Sequence, residues 1–410
     1  MAFQEKKRTP RGRKAVPKEY LRKRSFKKIA LFVGIGVLLC TTVALLIVGI
    51  LHSRQNSPTE PAAPPPDTVI HFVAGGDVNI TDKTVNAGLS DGGYDYKKVF
   101  QDIVPVLSQG DITALNFEGI VNGAPYGTER KSAPTELLDA LRRGGVDILQ
   151  TANSYSVFDG LRGLDATLQG IRAAGITPLG TYESNAAFEK SGGYIIWEIQ
   201  GIKVAMMAFT KGMNEGMGLP SENSVNLLYE DYNSTYQKVN KEGIAQVVRN
   251  AAAHEPDIMI AMVHWGSEGV AQISKTQQQI CSLLQEEGVD AIIGTHSHLV
   301  QKMEYDPESG KFVAYSLGDF YGDGQGDTQY SVLLDLEITQ SGATGQTKVT
   351  GFDYVPIFME AEENGSIRVL RIHEAIAGYE NRYLDRVSDE SYEAMKSALN
   401  KIENRIGKTK

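Results

Sequence analysis

Between Ile29 and Leu51 the chain runs for 23 residues, IALFVGIGVLLCTTVALLIVGIL, without a formal charge. As a helix rising about 1.5 Å per residue the run is about 34 Å long, enough to cross the hydrocarbon core of a bilayer. It therefore divides the chain into parts that face different surroundings. The run is longer than the apolar region of a secretory signal and no small-residue cleavage site follows it, so the expectation is an uncleaved anchor. Leu39, directly before Cys40, is too bulky for a lipoprotein cleavage site. Residues 1–28 carry 12 Lys/Arg against Glu5 and Glu19, a net of +10, whereas the other 382 residues carry 29 basic and 48 acidic side chains, a net of −19. By the positive-inside rule, 1–28 is expected to be a cytoplasmic arm touching anionic membrane lipids, 29–51 a single-pass transmembrane helix, and everything beyond it extracellular. The acidic bulk argues against nucleic acid as a partner, because phosphate binding needs a basic face. Residues 52–67 are rich in proline and read as an extended stalk. Cys40 and Cys281 are the only cysteines, and with Cys40 inside the apolar run no structural disulfide is expected.

From Thr68 the sequence alternates short β-branched runs with amphipathic stretches, the pattern of an α/β domain. Strands are expected at Val69–Asp77, Ile112–Gly119, Val146–Asn153, Tyr194–Gln200, Lys203–Thr210, Asp257–Gly266, Asp290–His298 and Phe312–Phe320. Helices are expected at Thr135–Gly145, at Gly163–Gly175 and over Gln277 to Gly288, each closed by a glycine cap. After Tyr330 only strands are expected, as a second, antiparallel layer. The last stretch, opened by Ser388 as N-cap, puts Met395, Leu399, Ile402 and Ile406 on one helical stripe that docks on the domain. The ectodomain is accordingly divided into 68–375 and a helical extension, 376–410.

Polar residues gather at the carboxyl ends of the expected strands, where open α/β sheets place ligands. Asp77 and Asn79, Asn116 and Glu118, and His296 and His298 are i, i+2 pairs, which in extended chain project from one face and can converge on one ion. His264 ends a further strand. Asp77, Glu118, His264, His296 and His298 make a mixed carboxylate and imidazole set suited to zinc, manganese or iron. His52, His71, His254 and His373 have no such setting and read as ordinary surface or core residues. Taken singly, GGD, NFEG and YSLGDF are equally consistent with turn chemistry.

In order, Gly76-Asp77, Asn116-Phe117-Glu118-Gly119, Thr151-Ala152-Asn153, Gly180-Thr181-Tyr182, His264-Trp265-Gly266-Ser267-Glu268, Gly294-Thr295-His296-Ser297-His298 and Tyr315-Ser316-Leu317-Gly318-Asp319-Phe320 resemble the CapA family of bacterial capsule-synthesis proteins. That family is associated with poly-gamma-glutamate and is similar to calcineurin-like metallophosphoesterases. The resemblance covers roughly Val69 to Phe320. It implies an α/β fold of two facing β-sheets flanked by helices, with a site for one or two divalent metal ions held by Asp77, Glu118, His264, His296 and His298. It also implies site-lining roles for Asn79, Asn116, Asn153, Ser154, Glu268 and Asp319, and places Tyr155 and His264 at the catalytic positions.

Here the chain departs from the family pattern, which resembles Ala-Asn-Asn-His followed by Asp-Gly and ends its last motif in Asn. The chain has Ser154-Tyr155 in place of the Asn-His pair, Phe158 where the Asp is expected with Asp159 one residue later, and Asp319 in place of the Asn. A serine hydroxyl is a weaker ligand than a carboxamide, and a phenol of pKa near 10 is a poor acid beside an imidazole near 6.5. Loss of general acid catalysis typically costs about 100-fold to 10,000-fold in rate. Two main functions stay open: a metal-binding accessory of capsule polymer synthesis, export or attachment, or a metal-dependent hydrolase of a phosphoester or amide-linked envelope substrate. A catalytically degenerate scaffold is the third. The first implies an anionic envelope polymer and polymer synthesis or export membrane proteins as partners, with Lys131, Lys211 and Arg130 supplying positive charge.

Overall fold

The computed structural model describes residues 18–55, 63–214, 217–362, 365–382 and 387–407, which fall into two units divided between Pro64 and Pro65. The first 17 residues of the basic arm and residues 56–62 of the stalk lie outside the described residues. In the first unit a continuous helix covers Lys18–Gln55, and its segment Phe26–Ser53 is long and apolar enough to cross a membrane. Its apolar side chains are exposed all round. Thr41 and Thr42 donate to carbonyls of Val37, Leu38 and Leu39 at 2.9 to 3.0 Å, so their hydroxyls are satisfied within the helix, which would be compatible with an apolar medium. The helix starts inside the expected arm and ends beyond Leu51.

The second unit carries the strands β1 Thr68–Asn79, β2 Leu89–Ser90, β3 Gly93–Tyr94, β4 Ile112–Glu118, β5 Ile148–Gln150, β6 Thr177–Leu179, β7 Tyr194–Ile199 and β8 Ile202–Thr210. It continues with β9 Ile258–His264, β10 Ala291–Thr295, β11 Met303–Asp306, β12 Lys311–Ala314, β13 Asp319–Tyr321, β14 Tyr330–Gln340, β15 Thr347–Ala361 and β16 Ile367–Arg371. β2 and β3 form a small hairpin. The first large sheet has the order β16-β15-β14-β1-β4-β5-β6, with β13 also on β1, and the second has the order β11-β12-β10-β9-β8-β7. β1, β4, β5 and β6 are parallel, as are β8, β9, β10 and β12.

Alternation along each strand explains the layering. Ile202, Val204, Met206 and Ala208 of β8 point into a core shared with Ile70, Phe72 and Ala74 of β1. Ala205, Met207 and Phe209 point the other way, onto Ile244 and Val248 of the helix Lys241–Ala252 and Ile280 and Leu284 of the helix Lys275–Glu286. On the first sheet Val73, Leu115 and Phe117 face Leu137, Leu138 and Leu141 of the helix Thr135–Gly144. Both faces of each sheet are apolar, so each must be covered, and two facing sheets between helices is the result. The helix Asp389–Ile406, capped by Ser388, buries Met395, Ala398, Ile402 and Ile406 in the inter-sheet core. The boundary drawn at 375 falls inside the helix Ile372–Glu380.

Two expectations are corrected. Phe312–Phe320 is not one strand: β12 lies in the second sheet and β13 in the first, and the chain turns between them at Gly318, whose φ is 83°. The strands after Tyr330 do not form a layer of their own. β14 pairs antiparallel with β1 from Thr68↔Gln340 to Ala74↔Leu334, extending the first sheet at the edge opposite β4. A strand's own alternation cannot say which edge it will join.

Candidate metal centre

The parallel strands of both sheets bring their carboxyl ends together. Parallel pairing sets Asp77 beside Asn116 and Asn79 beside Glu118 on the first sheet, and His264 beside Thr295 on the second. Asp319 opens β13 directly opposite Asp77. This approach is possible because position 76 is glycine: a Cβ there would lie 1.7 Å from the carbonyl oxygen of Gly318, which accepts the Asp77 amide at 3.1 Å. Past β10, His296 and His298 hold φ values of 89° and 57°, conformations that cost non-glycine residues roughly 1–3 kcal/mol and that cluster at functional sites.

Asp77, Glu118, His264, His296 and Asp319 are buried and His298 nearly so. The donors form two triads, Glu118, His264 and His296, and Asp77, Glu118 and His298, which share Glu118. Glu118 Oε1 is 3.5 Å from His264 Nε2 and its Oε2 is 3.9 Å from His298 Nε2, so its two oxygens face different histidines. Asn116 donates to Asp77 at 2.5 Å, and the Asp77 carboxylate also accepts the His296 amide at 3.1 Å. The Nδ1 of His298 meets Asp319 Oδ1 at 2.7 Å, leaving Nε2 for Glu118. A carboxylate on the far nitrogen fixes the tautomer and raises the basicity of a ligating imidazole.

The electrostatics follow from burial. Burial, followed by repulsion from positive charge on the neighbouring groups His296, His298 and Lys211 whenever they carry it, drives the His264 pKa well down. Burial does the same for His296, with Lys211 next. Both imidazoles are therefore held neutral, the form that ligates. For His298 burial works against the cation but is outweighed by Asp319, Glu118 and Asp77, which push it up to about 11. Burial pushes Asp77 up to about 6 and Glu118 up to about 8.

The donor set fits a divalent cation. Glu118 Oε2 and His296 Nδ1 are buried with no hydrogen-bond partner among the described residues, a costly condition that a bound cation would relieve. Two carboxylates and three imidazoles suit zinc, manganese or iron.

Of the other expected residues, Asn153 donates to Phe117 O at 2.6 Å and to Asn116 at 3.3 Å, bracing the floor of the site. Ser154 Oγ is 3.1 Å from His264 Nε2. Tyr155 is half-buried, with Lys131 Nζ 4.5 Å above its ring. That ammonium also donates to Asn79 Oδ1 at 3.4 Å and to Ile80 O at 3.1 Å. Glu268 is exposed, on a loop beside His296. Arg130 is tied to Asp159, which also takes Arg162, and so is not free cationic charge for the site. His71 lies elsewhere, against Asp335. Sequence reasoning missed Thr295, whose hydroxyl is 3.1 Å from His264 Nδ1, although it stands inside the GTHSH motif. It also missed Tyr236, which lines the cleft from a long loop without a motif.

The class the fold and site define is a two-sheet α/β sandwich with a buried carboxylate and imidazole cluster at its strand ends, an arrangement that could hold a metal ion. The sequence model described as bacterial capsule synthesis protein PGA_cap matches residues 71–324, and the chain belongs to that family. It is 26% identical over 264 residues to the PGA biosynthesis protein CapA of Bacillus subtilis (strain 168), covering 62% of this chain and 64% of that protein. It is 24% identical over 258 residues to the capsule biosynthesis protein CapA of Bacillus anthracis, covering 61% and 59%. The chain thus matches less than two thirds of the length of these relatives. Solved structures it resembles include the calcineurin-like phosphoesterase YfkN of Bacillus subtilis, with a TM-score of 0.44, 18% identity and coverage of 82% of this chain and 97% of that one. Another is a phosphatase from Mycoplasma pneumoniae, with a TM-score of 0.45, 15% identity and coverage of 71% and 94%.

Proposed function

We propose that this chain is a membrane-anchored, metal-binding component of capsule polymer synthesis, export or attachment, whose main domain works outside the membrane on an anionic polymer of the poly-gamma-glutamate kind. The observation that carries the reading is the pair of buried triads sharing Glu118, flanked by the half-buried ammonium groups of Lys131 and Lys211. The basic arm and the apolar helix support the orientation. Partner membrane proteins of synthesis or export would meet it at that helix and at the domain surface.

Asp77, Glu118, His264, His296 and His298 would hold one or two divalent cations, which supply polarisation of a bound oxygen or a bound water of lowered pKa. Asp319 orients His298, and Asn116 and the His296 amide hold Asp77 in place. Lys131 and Lys211 counter the repulsion that a net −19 would otherwise impose on a polyanion. Ser154 and Tyr155 stand where an amide ligand and an acid are expected, which favours binding and guiding over rapid turnover.

The test is metal content of the full chain by mass spectrometry beside a His296→Ala, His298→Ala variant, together with capsule in a strain carrying that variant. Bound metal that disappears in the variant, with surface polymer reduced or shortened, is expected. Unchanged metal content, or a normal capsule, would refute the reading. The sharing of Glu118 by two triads favours a second reading, a slow hydrolase. On that reading the double change S154N, Y155H should raise turnover of phosphoester or glutamyl substrates by at least about 100-fold.

A further inference from the structure

Lys211 follows β8, and its amide is bonded to the carbonyl of His264 at 2.8 Å. Its ammonium donates to Gly266 O at 3.0 Å, lies 3.3 Å from His296 Nε2 and sits 4.7 Å from the centre of the Tyr236 ring. Among the described residues no carboxylate comes within ion-pair distance of it. Burial lowers its pKa, with the charge of Glu268 acting the other way across a gap. A half-buried cation without a bonded anion is unfavourable unless a ligand supplies the anion.

Lys211 and Glu268 line one small cleft with Ser154, Tyr236, Ser267 and His296, so opposite charges share it without bonding to each other. The cleft opens beside the triad of Glu118, His264 and His296. We propose that it is a subsite for an amino-acid unit bearing a carboxylate and a free ammonium on one carbon, the carboxylate on Lys211 and the ammonium on Glu268. The protein then recognises the amino end of a carboxylate polymer rather than any stretch of it. A phosphate polymer would satisfy Lys211 and be repelled by Glu268, so the mixed charge selects against it. The inference rests on the polymer-handling function proposed above and names the part of the polymer that the site takes.

The experiment is calorimetric titration of the manganese-loaded full chain in detergent with three probes: a γ-linked glutamate tetramer, the same tetramer acetylated at its amino end, and a glycerol phosphate tetramer. Wild type should bind the free tetramer best, with acetylation weakening it about 10-fold to 100-fold. K211M should weaken both glutamate probes by a similar factor, and K211R should recover most of the loss. E268Q, on an exposed side chain, should erase the difference between free and acetylated tetramers. Equal affinities for wild type and K211M, or an acetylation effect that persists in E268Q, would overturn the subsite. Phosphate binding that tightens in E268Q would assign the cleft to phosphate instead. If no probe binds metal-loaded wild type, the polymer reading falls with it, whereas equal binding to wild type and K211M removes only the subsite. Should K211M lose its metal, the E268Q comparison decides.

Discussion

The change E118Q, which keeps the side chain's size and removes its charge, should shift stability in opposite directions with and without metal. With no cation bound, burial first and then the charge of Asp77 push the Glu118 carboxyl from 4.5 up to about 8, while His298 and Lys131 pull it down. A group whose folded pKa exceeds its unfolded value binds more protons when folded, so stability falls as pH rises between the two values. At pH 7 the folded carboxyl stays protonated while the unfolded one is ionised, a penalty of roughly 3 kcal/mol at about 1.4 kcal/mol per pH unit above 4.5. Metal-stripped E118Q, which has no such proton to take up, should be more stable than wild type by up to about 3 kcal/mol at pH 7, the gap closing toward pH 4.5. Metal reverses the order. Glu118 belongs to both triads, so a concentration about 100-fold above Kd should add about 2.7 kcal/mol to wild type and far less to the variant. Urea denaturation followed by tryptophan fluorescence, in chelator and in manganese, measures both effects, since Trp265 is buried next to His264. A less stable E118Q in chelator with a pH-independent gap would refute the burial argument, and an undiminished metal response would refute the shared ligand.

The remaining predictions concern the supports of the site and the fold. G76A would put a Cβ 1.7 Å from the Gly318 carbonyl oxygen, and because backbone is the obstacle the two strands must separate. The expected loss is about 3 kcal/mol or more together with metal content, both read on one sample. M395A should cost about 2–5 kcal/mol, because the side chain is fully buried between the C-terminal helix and the inter-sheet core. Faster proteolysis of residues 389–406 would report it. The hydrogen bond from Lys401, with Arg405 adding to it, holds Asp327 below its ordinary 3.8. The stabilisation is therefore present above that value and lost as pH falls through the lowered one. Asp327 is more than a third exposed, so D327N should loosen the C-terminal helix by no more than about 1 kcal/mol at pH 7, as hydrogen exchange would show, with the difference gone in strong acid.

Part of this protein is decided locally. An uncharged run of 23 residues can be recognised without a partner, because a helix satisfies its own backbone and length alone matches a bilayer. The strands carrying the site were legible for a similar reason: β-branched runs ending in GGD, NFEG, HWG and GTHSH announce both an extended segment and a turn. The i, i+2 pairs put forward Asp77, Glu118, His296 and His298, and a further strand end put forward His264. The structure brings all five into two triads, although His296 and His298 lie past the end of β10 at positive φ and in different triads, not side by side on one extended face.

What the chain could not state by itself is what meets across long separations. FVAYSLGDF reads as one apolar run, yet Gly318 sends its second half to the other sheet, where Asp319 reaches His298 and lies opposite Asp77. The edge that β14 joins and the sharing of Glu118 by two triads depend on sheet pairing, which no local pattern encodes. Arg130 and Lys211 look equivalent as sequence, but Asp159 claims the first while the second is half-buried beside His296, with no carboxylate among the described residues within ion-pair distance. Local sequence determined the elements and supplied the donors. Only the tertiary structure decided which charges are compensated, because compensation acts through space and is set by packing.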